Sequence, residues 1–498
     1  MDRDHRAVLL VCLGAGFTTL LDQSVLNIVV PALRDSLHAG PAAVQWIVAG
    51  YSLSFGLALV PAGRVGDIAG RRRLFAGGLA LFALGAVVAG TAGNAWVVAA
   101  ARLVQGLGAG TVNPQIIGLF QDTFAGRDRT RALAAYAAVG GLAAALGPPV
   151  GGLVLQLTGP DLGWRLVLLL NLPFALVMVP LAARRLPSTR HPGRRPDLDL
   201  AGLLLLGAAL VGVVLPLTGT AGGWRWAAAA GAFVAVFVLW ERRYTARGRT
   251  AVLMPALTRS PGYVLGTLVA MCYFGATLAL TLALTLFLQN GLGYTPLATA
   301  ALTLPGAIGF ALASSASTAM VTRFGRPGVS VALGVAAAGI AAEAAAVWLL
   351  PVGAVVAALA AAQFVTGAAG GLINAPNQAL TLGHAPPGAH GLSAGVLQLS
   401  QRLAAALSVA AVSGVALTAP PGLAGQRTAL LHGTLICLAL VVLAAIFAFA
   451  DGAIVRGCTS DSTCRPIPPT RAGSPQSSAA SGFAGTAASA PRSPESAS

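Results

Sequence analysis

The sequence has few charged residues: only 9% of its 498 residues are Asp, Glu, Lys or Arg. Soluble globular proteins carry about 25%, so this shortage excludes an ordinary soluble fold. The mean hydropathy is +0.78, and the apolar residues form runs of about 20, the length of a membrane-spanning helix. These runs do not alternate apolar with polar residues, which excludes barrel strands. We therefore predict an all-α, multi-pass protein of the lipid bilayer.

Lysine is absent, so all 31 basic residues are arginine. A net charge of +16 fits a nucleic-acid-binding protein, but most arginines lie in short clusters between apolar runs, as in cytoplasmic loops. We therefore predict no nucleic-acid partner. One side of the membrane receives most of them, including Arg71–Arg73. The other side receives only Arg34, Arg165, Arg225 and Arg427. This imbalance predicts cytoplasmic termini and an even number of spans.

The sequence also lacks a metal-ligand cluster, a catalytic triad and a phosphate-binding loop. Its five cysteines match no disulfide or metal spacing. We therefore predict no metal, no cofactor and no enzymatic activity. Without a nucleotide motif, transport would draw on an ion gradient or on the gradient of the substrate itself.

Fourteen apolar segments meet the length criterion for a span. They lie at about 7–30, 44–63, 74–93, 95–118, 132–157, 165–184, 200–219, 225–241, 262–288, 296–320, 328–350, 352–375, 391–417 and 428–450. The turns DIAGR at 67–71 and TRFGR at 322–326 suggest an internal repeat of two six-helix halves. The predicted division is a first bundle at 1–186, a linker with two inserted spans at 187–259, a second bundle at 260–450 and a disordered cytoplasmic tail at 451–498.

An acidic residue, Asp22, lies inside the first apolar segment. A carboxylate in the hydrocarbon layer costs about 2.5–3.5 kcal/mol, so it usually faces a water-filled cavity or a partner. On a helical wheel Asp22 shares one polar arc with Gln23 and Asn27. The second membrane acid, Glu343, has two interpretations: support or snorkelling at the lipid boundary, which we favour, or substrate binding.

An arginine, Arg102, lies in the fourth segment on one stripe with Gly106 and Asn113. Small residues along such a stripe let a second helix approach closely. The alternative is an arginine that snorkels to the interface. Three residues of the second segment, Gln45, Trp46 and Tyr51, could line a cavity or simply pack.

The stretch GRVGDIAGRRR resembles the signature loop of the major facilitator superfamily. The matching positions are Gly63, Asp67, Gly70, Arg71 and Arg72. Ile68 replaces the usual basic residue. The resemblance implies that this loop helps to hold the cytoplasmic side closed. RLVQGLG resembles the R-x-x-Q-G-x-G motif of the same family, which implies a role for Arg102 in proton transfer.

Two further stretches resemble parts of the fourteen-span drug:proton antiporters. The fifth segment carries the GPxxGG core of an antiporter motif, in which proline bends the helix and glycine permits close packing. Its matching residues are Gly147, Pro148, Gly151 and Gly152, with Ala143 in place of an upstream glycine. LDQSVLNIVVPAL resembles the first-helix motif, and HGLSAGVLQLSQR is another family-like stretch. The resemblance covers about residues 1–450 and implies export.

We therefore predict a monomeric major facilitator protein of the cell membrane that exports small amphipathic compounds in exchange for protons. Asp22 and Arg102 would couple protons to alternating access. The predicted substrate cavity comprises Gln23, Asn27, Gln45, Trp46, Tyr51, Asn113, Gln398 and Arg402. The alternatives are a dedicated exporter of one self-made metabolite, a membrane sensor or scaffold, or a membrane enzyme. A sensor should carry a folded soluble domain, and no loop is long enough for one.

Overall fold

The computed structural model describes residues 3–187, 199–217, 223–249, 252, 255–385, 390–420 and 422–460. The regular structure of these residues is helical, without a strand among them. Twelve helical segments of these residues are long and apolar enough to cross a membrane, and one of them, Pro160–Arg185, has a short break within it. Leu200–Val213 is a shorter apolar helix. The prediction of an all-helical multi-pass protein is thus confirmed. The count of fourteen spans and the division into domains stay predictions.

The helices follow one another with short connections. The first group is α1 Arg3–Ser36, α2 Pro41–Ala69, α3 Arg71–Thr91, α4 Ala95–Thr123, α5 Gly126–Thr158, α6 Pro160–Leu169 and α7 Leu172–Arg185. The inserted group is α8 Leu200–Leu217, α9 Gly223–Ala246 and the short α10 Pro255–Thr258. The last group is α11 Pro261–Leu286 with a π-helical turn Phe287–Gly291, α12 Pro296–Ser315, α13 Ser317–Leu349, α14 Val352–Gly383, α15 His390–Leu417 and α16 Leu423–Ser460.

Two boundaries differ from the prediction. The sixth predicted span is two helices, because the chain breaks at Leu170 and Asn171 and α7 restarts with Pro173 in its first turn, where the missing N–H is tolerated. The last helix continues to Ser460 instead of ending at residue 450, and Asp451 is a buried residue within it. The predicted tail at 451–498 stays a prediction, and residues 461–498 lie outside the described residues.

The two halves repeat the same packing. In the first half, α2 and α3 both pack on α4, and α1 packs on α5. In the second half, α12 and α13 both pack on α14, and α11 packs on α15. The halves meet through two reciprocal pairs, α2 with α15 and α5 with α12. This correspondence supports the internal repeat read from the two turns. The inserted helices α8 and α9 pack on each other, and α8 also contacts α2 and α15.

Both repeated turns have a glycine with a positive φ angle. Gly70 has φ 101° and Gly325 has φ 54°, values that glycine adopts without a steric penalty. Each glycine is followed by an arginine, Arg71 or Arg326, which then starts the next helical stretch. In the second half the helix assignment runs through the turn, so α13 is kinked at Gly325.

The halves also touch at the end of the bundle that the arginine distribution assigns to the outside. Gln289 Nε2 donates to the Ile28 carbonyl oxygen at 3.1 Å. A Cβ added at Gly152 would lie 2.8 Å from the Leu297 Cα, so this glycine lets α5 approach the start of α12. The close contacts between the halves therefore include this predicted outer end.

Candidate functional site

The two charged residues predicted to act together form a buried ion pair. Arg102 Nη1 lies 2.5 Å from Asp22 Oδ2, and each side chain is 1% exposed. Two opposite charges in such a site stabilise each other, and removal of either leaves the other uncompensated. The snorkelling interpretation of Arg102 is wrong, because its guanidinium faces Asp22 inside the bundle.

Three neighbours complete the surroundings of this pair. Asn171 Nδ2 donates to Asp22 Oδ1 at 2.9 Å, and Gln105 Nε2 donates to the same oxygen at 3.4 Å. The Arg102 guanidinium also lies over the Tyr51 ring, 4.3 Å from its centroid. The Asp22 carboxylate thus accepts hydrogen bonds at both oxygens, from α4 and from the break between α6 and α7.

Asn171 was missed as a site residue by the sequence analysis. The available signal was an asparagine two residues before Pro173 inside an apolar span. A helix that breaks in a membrane must satisfy its freed polar groups locally. Asn171 lies at this break, and its side-chain amide donates to the buried carboxylate.

Glycines on α4 hold Tyr51 and Arg102 together. A Cβ added at Gly106 would lie 2.4 Å from the Tyr51 carbonyl oxygen and 2.0 Å from Ser54 Oγ. A Cβ added at Gly110 would lie 2.3 Å from the Phe55 carbonyl oxygen. Small residues are thus required where α4 crosses α2, as the stripe on α4 predicted.

A second arginine reaches α1 from the other half of the protein. Arg402 Nη1 on α15 donates to Gln23 Oε1 on α1, and Gln23 Nε2 donates to Ser52 Oγ at 3.4 Å. The Arg402 guanidinium lies 4.3 Å from the Phe55 ring centroid and 5.3 Å from that of Phe274. Consecutive residues of α1, Asp22 and Gln23, are therefore each bound by an arginine from a different half.

Five other residues were predicted to line the substrate cavity, and two of them do line a cavity. Asn113 and Gln398 line a cavity of about 180 Å³ between α2, α4 and α15, which extends to the signature loop. Asn113 Nδ2 also donates to the Tyr136 hydroxyl at 2.7 Å. Gln45 is buried and Trp46 packs against both large apolar cores; neither lines this cavity. Asn27 is half-buried on α1.

The signature loop is held by ion pairs within the first half. Arg71 Nη2 lies 2.7 Å from Asp67 Oδ1, and Arg71 Nε lies 2.9 Å from Asp122 Oδ2. A Cβ at Gly118 would overlap the Arg71 guanidinium, so Arg71 would have to leave this position. Gly63 lines the adjacent cavity, and Arg72 is half-buried. Asp122 was missed, because only the fold brings the end of α4 to this loop.

The second half repeats this arrangement with different chemistry. Arg326, which follows the kink at Gly325, donates to Asn377 Oδ1 on α14 at 2.5 Å and pairs with Asp451 on α16. Asn377 Nδ2 in turn donates to the Gly266 carbonyl oxygen at 2.9 Å. The arginine after the turn therefore binds the fourth helix of its half in both repeats.

The antiporter motif packs the fifth helix against the first. A Cβ at Gly147 would lie 1.9 Å from Ser24 Oγ, and one at Gly151 would lie 2.6 Å from an Ile28 methyl carbon. Ser24 Oγ donates to the Ala143 carbonyl oxygen at 2.8 Å. Pro148 lines a second cavity of about 270 Å³ between α5 and helices of the second half. The motif thus connects α1, which carries Asp22, to the second bundle.

The second membrane acid lies inside the protein. Glu343 is 1% exposed; its Oε1 accepts from Gln363 Nε2 at 2.8 Å and from Thr366 Oγ1 at 3.5 Å. Both donors lie on α14 and line the second cavity. The interpretation of Glu343 as a lipid-facing or snorkelling residue is therefore wrong.

The chain is similar to one known protein family and to curated transport, export and resistance proteins. A family model described as Major Facilitator Superfamily matches residues 12–199. The "Probable actinorhodin transporter" of Streptomyces coelicolor is 35% identical over 67% of this chain and 59% of its own length. The "Cephamycin export protein CmcT" of Amycolatopsis lactamdurans is 36% identical over 58% of this chain and 60% of its own length. The "Multidrug resistance protein Stp" of Mycobacterium tuberculosis is 32% identical over 64% of this chain and 59% of its own length.

The match therefore spans about three-fifths of the length of these curated relatives. Solved structures show the same fold at low sequence identity. An auto-inhibited POT family peptide transporter superposes with a TM-score of 0.65 and 14% identity, covering 94% of this chain and 98% of its own. A D-xylose-proton symporter gives 0.63 and 16%, covering 89% and 97%.

Proposed function

The chain belongs to the major facilitator superfamily, and on that premise we propose that it exports small amphipathic compounds in exchange for protons. The observation that carries the proposal is the buried pair of Asp22 and Arg102, placed beside the residues that join the two halves. Both termini lie in the cytoplasm, the protein acts as a monomer in the cell membrane, and fourteen spans cross it.

The pair couples protonation to conformation in this proposal. When Asp22 takes up a proton, its attraction to the Arg102 guanidinium is lost. Opposite charges about 4 Å apart interact by about 4 kcal/mol at an effective dielectric constant of 20. A bias of that size shifts a two-state equilibrium by about a thousandfold. Protonation is therefore sufficient to favour a different arrangement of α1 and α4.

The direction of transport rests on two supports. The glycines and proline of the GPxxGG core pack α5 onto α1, and this core is a feature of exporters by resemblance. The relatives are described as transport, export and resistance proteins. Both favour efflux over uptake, and they disfavour an enzyme, a sensor or a scaffold.

A dedicated exporter of one self-made metabolite is the second candidate. It is favoured by two relatives whose descriptions each name a single compound, actinorhodin and cephamycin. Expression in a drug-sensitive host separates the candidates. A multidrug exporter raises resistance to several unrelated compounds, whereas a dedicated exporter raises resistance to one chemical family.

The proton requirement is tested in proteoliposomes with a fluorescent substrate and an imposed pH gradient. We expect transport only with the gradient, and we expect Asp22→Asn to abolish it. Asp35→Asn, at the exposed end of the same helix, is the matched control and should transport normally. Gradient-driven transport by Asp22→Asn at the wild-type rate would remove Asp22 from the mechanism.

A further inference from the structure

Three arginines are buried in the part of the chain that the structure describes: Arg102, Arg326 and Arg402. Two of them have a carboxylate partner, Asp22 for Arg102 and Asp451 for Arg326. Arg402, 9% exposed, makes no salt bridge with any described residue. Among these three buried arginines, Arg402 is therefore the one whose charge is not compensated by a carboxylate of the described residues.

The partners of Arg402 are polar or aromatic but neutral. Gln23 accepts one hydrogen bond from it, and the rings of Phe55 and Phe274 flank the guanidinium. Aromatic faces attract a cation, yet they do not neutralise it. Buried charges in membrane segments usually pair or mark a substrate path. A guanidinium with free donors is suited to a carboxylate, which it can bind through two parallel hydrogen bonds.

The position of Arg402 connects it to the cavity on the predicted cytoplasmic side. Gln398, four residues earlier on α15, lines that cavity together with Asn113. Residues four apart lie on the same face of a helix, so Arg402 lies one turn beyond the cavity wall. Phe55 and Phe274 add apolar surface on either side of the charge. The combination matches a molecule with an apolar ring system and an acidic group.

We propose that Arg402 supplies the counter-charge for an acidic group of the substrate, so that the exported compounds are amphipathic carboxylates. This rests on the proposed function and specifies its substrate class. The substrate carboxylate replaces the Gln23 amide at the guanidinium. Because Gln23 follows Asp22 directly on α1, substrate binding alters the helix turn that holds the proton site.

The test compares two dyes that differ only in one free carboxylate, fluorescein and fluorescein methyl ester. Binding to the purified full-length protein is measured by fluorescence anisotropy, without any gradient. We expect the wild type to bind the acid at least tenfold more tightly than the ester. Arg402→Gln should lose that preference, because its affinity for the acid falls while its affinity for the ester stays the same. Arg402→Lys should keep part of the preference. Arg34→Gln, which removes a charge at the far end of α1, should keep all of it.

Two results would overturn the proposal: a wild type without preference for the acid, or an equal loss of both dyes in Arg402→Gln. If Arg402 variants do not fold, Gln23→Ala decides, because it keeps the cation and removes its neutral partner. Retained or tighter acid binding supports the proposal, and loss of the preference contradicts it. Transport that ignores the pH gradient would refute proton coupling alone, because the binding assay does not depend on it.

Discussion

The pair of Asp22 and Arg102 makes an asymmetric prediction for its two neutralising variants. Breaking a buried ion pair by removing one partner costs about 3–5 kcal/mol. Asp22→Asn leaves a guanidinium that stays charged and whose other partners, Gln105 Oε1 and the Tyr51 ring, are neutral. Arg102→Gln leaves a carboxylate that can take up a proton and that keeps its donor Asn171. We therefore expect Asp22→Asn to lower the free energy of unfolding by the larger amount.

The measurement is a double-mutant cycle on the purified protein in detergent, with unfolding followed by circular dichroism. Asp22→Asn combined with Arg102→Gln removes both charges, so its cost should fall at least 2 kcal/mol below the sum of the single costs, within the range measured for coupled residues. Additive costs would refute the reasoning that the two charges compensate each other.

Three further predictions test separate parts of the structure. Gly106→Val should destabilise the protein by about 1–3 kcal/mol through overpacking against α2, as measured by thermal unfolding. Gly93→Ala, where an added Cβ meets open space, should have little effect. Equal effects of the two substitutions would refute the packing argument. Glu343→Gln should leave expression and unfolding unchanged or improved, since an amide replaces a buried carboxylate; a large loss of stability would show that the negative charge is required. Exchange of one proton for one monocarboxylate moves two charges across the membrane, worth about 4.6 kcal/mol at 100 mV. A potassium diffusion potential in proteoliposomes should therefore accelerate export of the acid more than export of its ester. Equal acceleration of the two would refute transport of the substrate as an anion.

Much of the fold followed from the sequence because the bilayer limits what a chain can do. Long apolar runs can satisfy their backbone only as helices, and the described residues of these runs are almost all helical. Asp22 and Arg102 could be paired in advance because intramembrane charges of opposite sign gain by meeting. The packing roles of the glycines on α4 and α5 could also be predicted from the sequence, because close helix packing requires small residues.

The parts that could not be predicted depend on tertiary contacts. Asn171 reaches Asp22 only because α6 and α7 break at that point. Asp122 joins the signature loop through the packing of α4, and Glu343 is buried by α14. The contact between Gln23 and Arg402 spans the two halves. No local periodicity in the sequence carries such information.

The inserted helices make the two junctions between the halves unequal. The internal repeat relates the junction of α2 with α15 to that of α5 with α12, yet α8 packs on the first pair. The second junction is lined by Pro148 and opens onto the cavity of about 270 Å³. Amphipathic compounds concentrate in the bilayer. In the proposed exporter, compounds that enter from the lipid would therefore meet α8 at the first junction, whereas at the second junction they would meet the cavity beside Pro148.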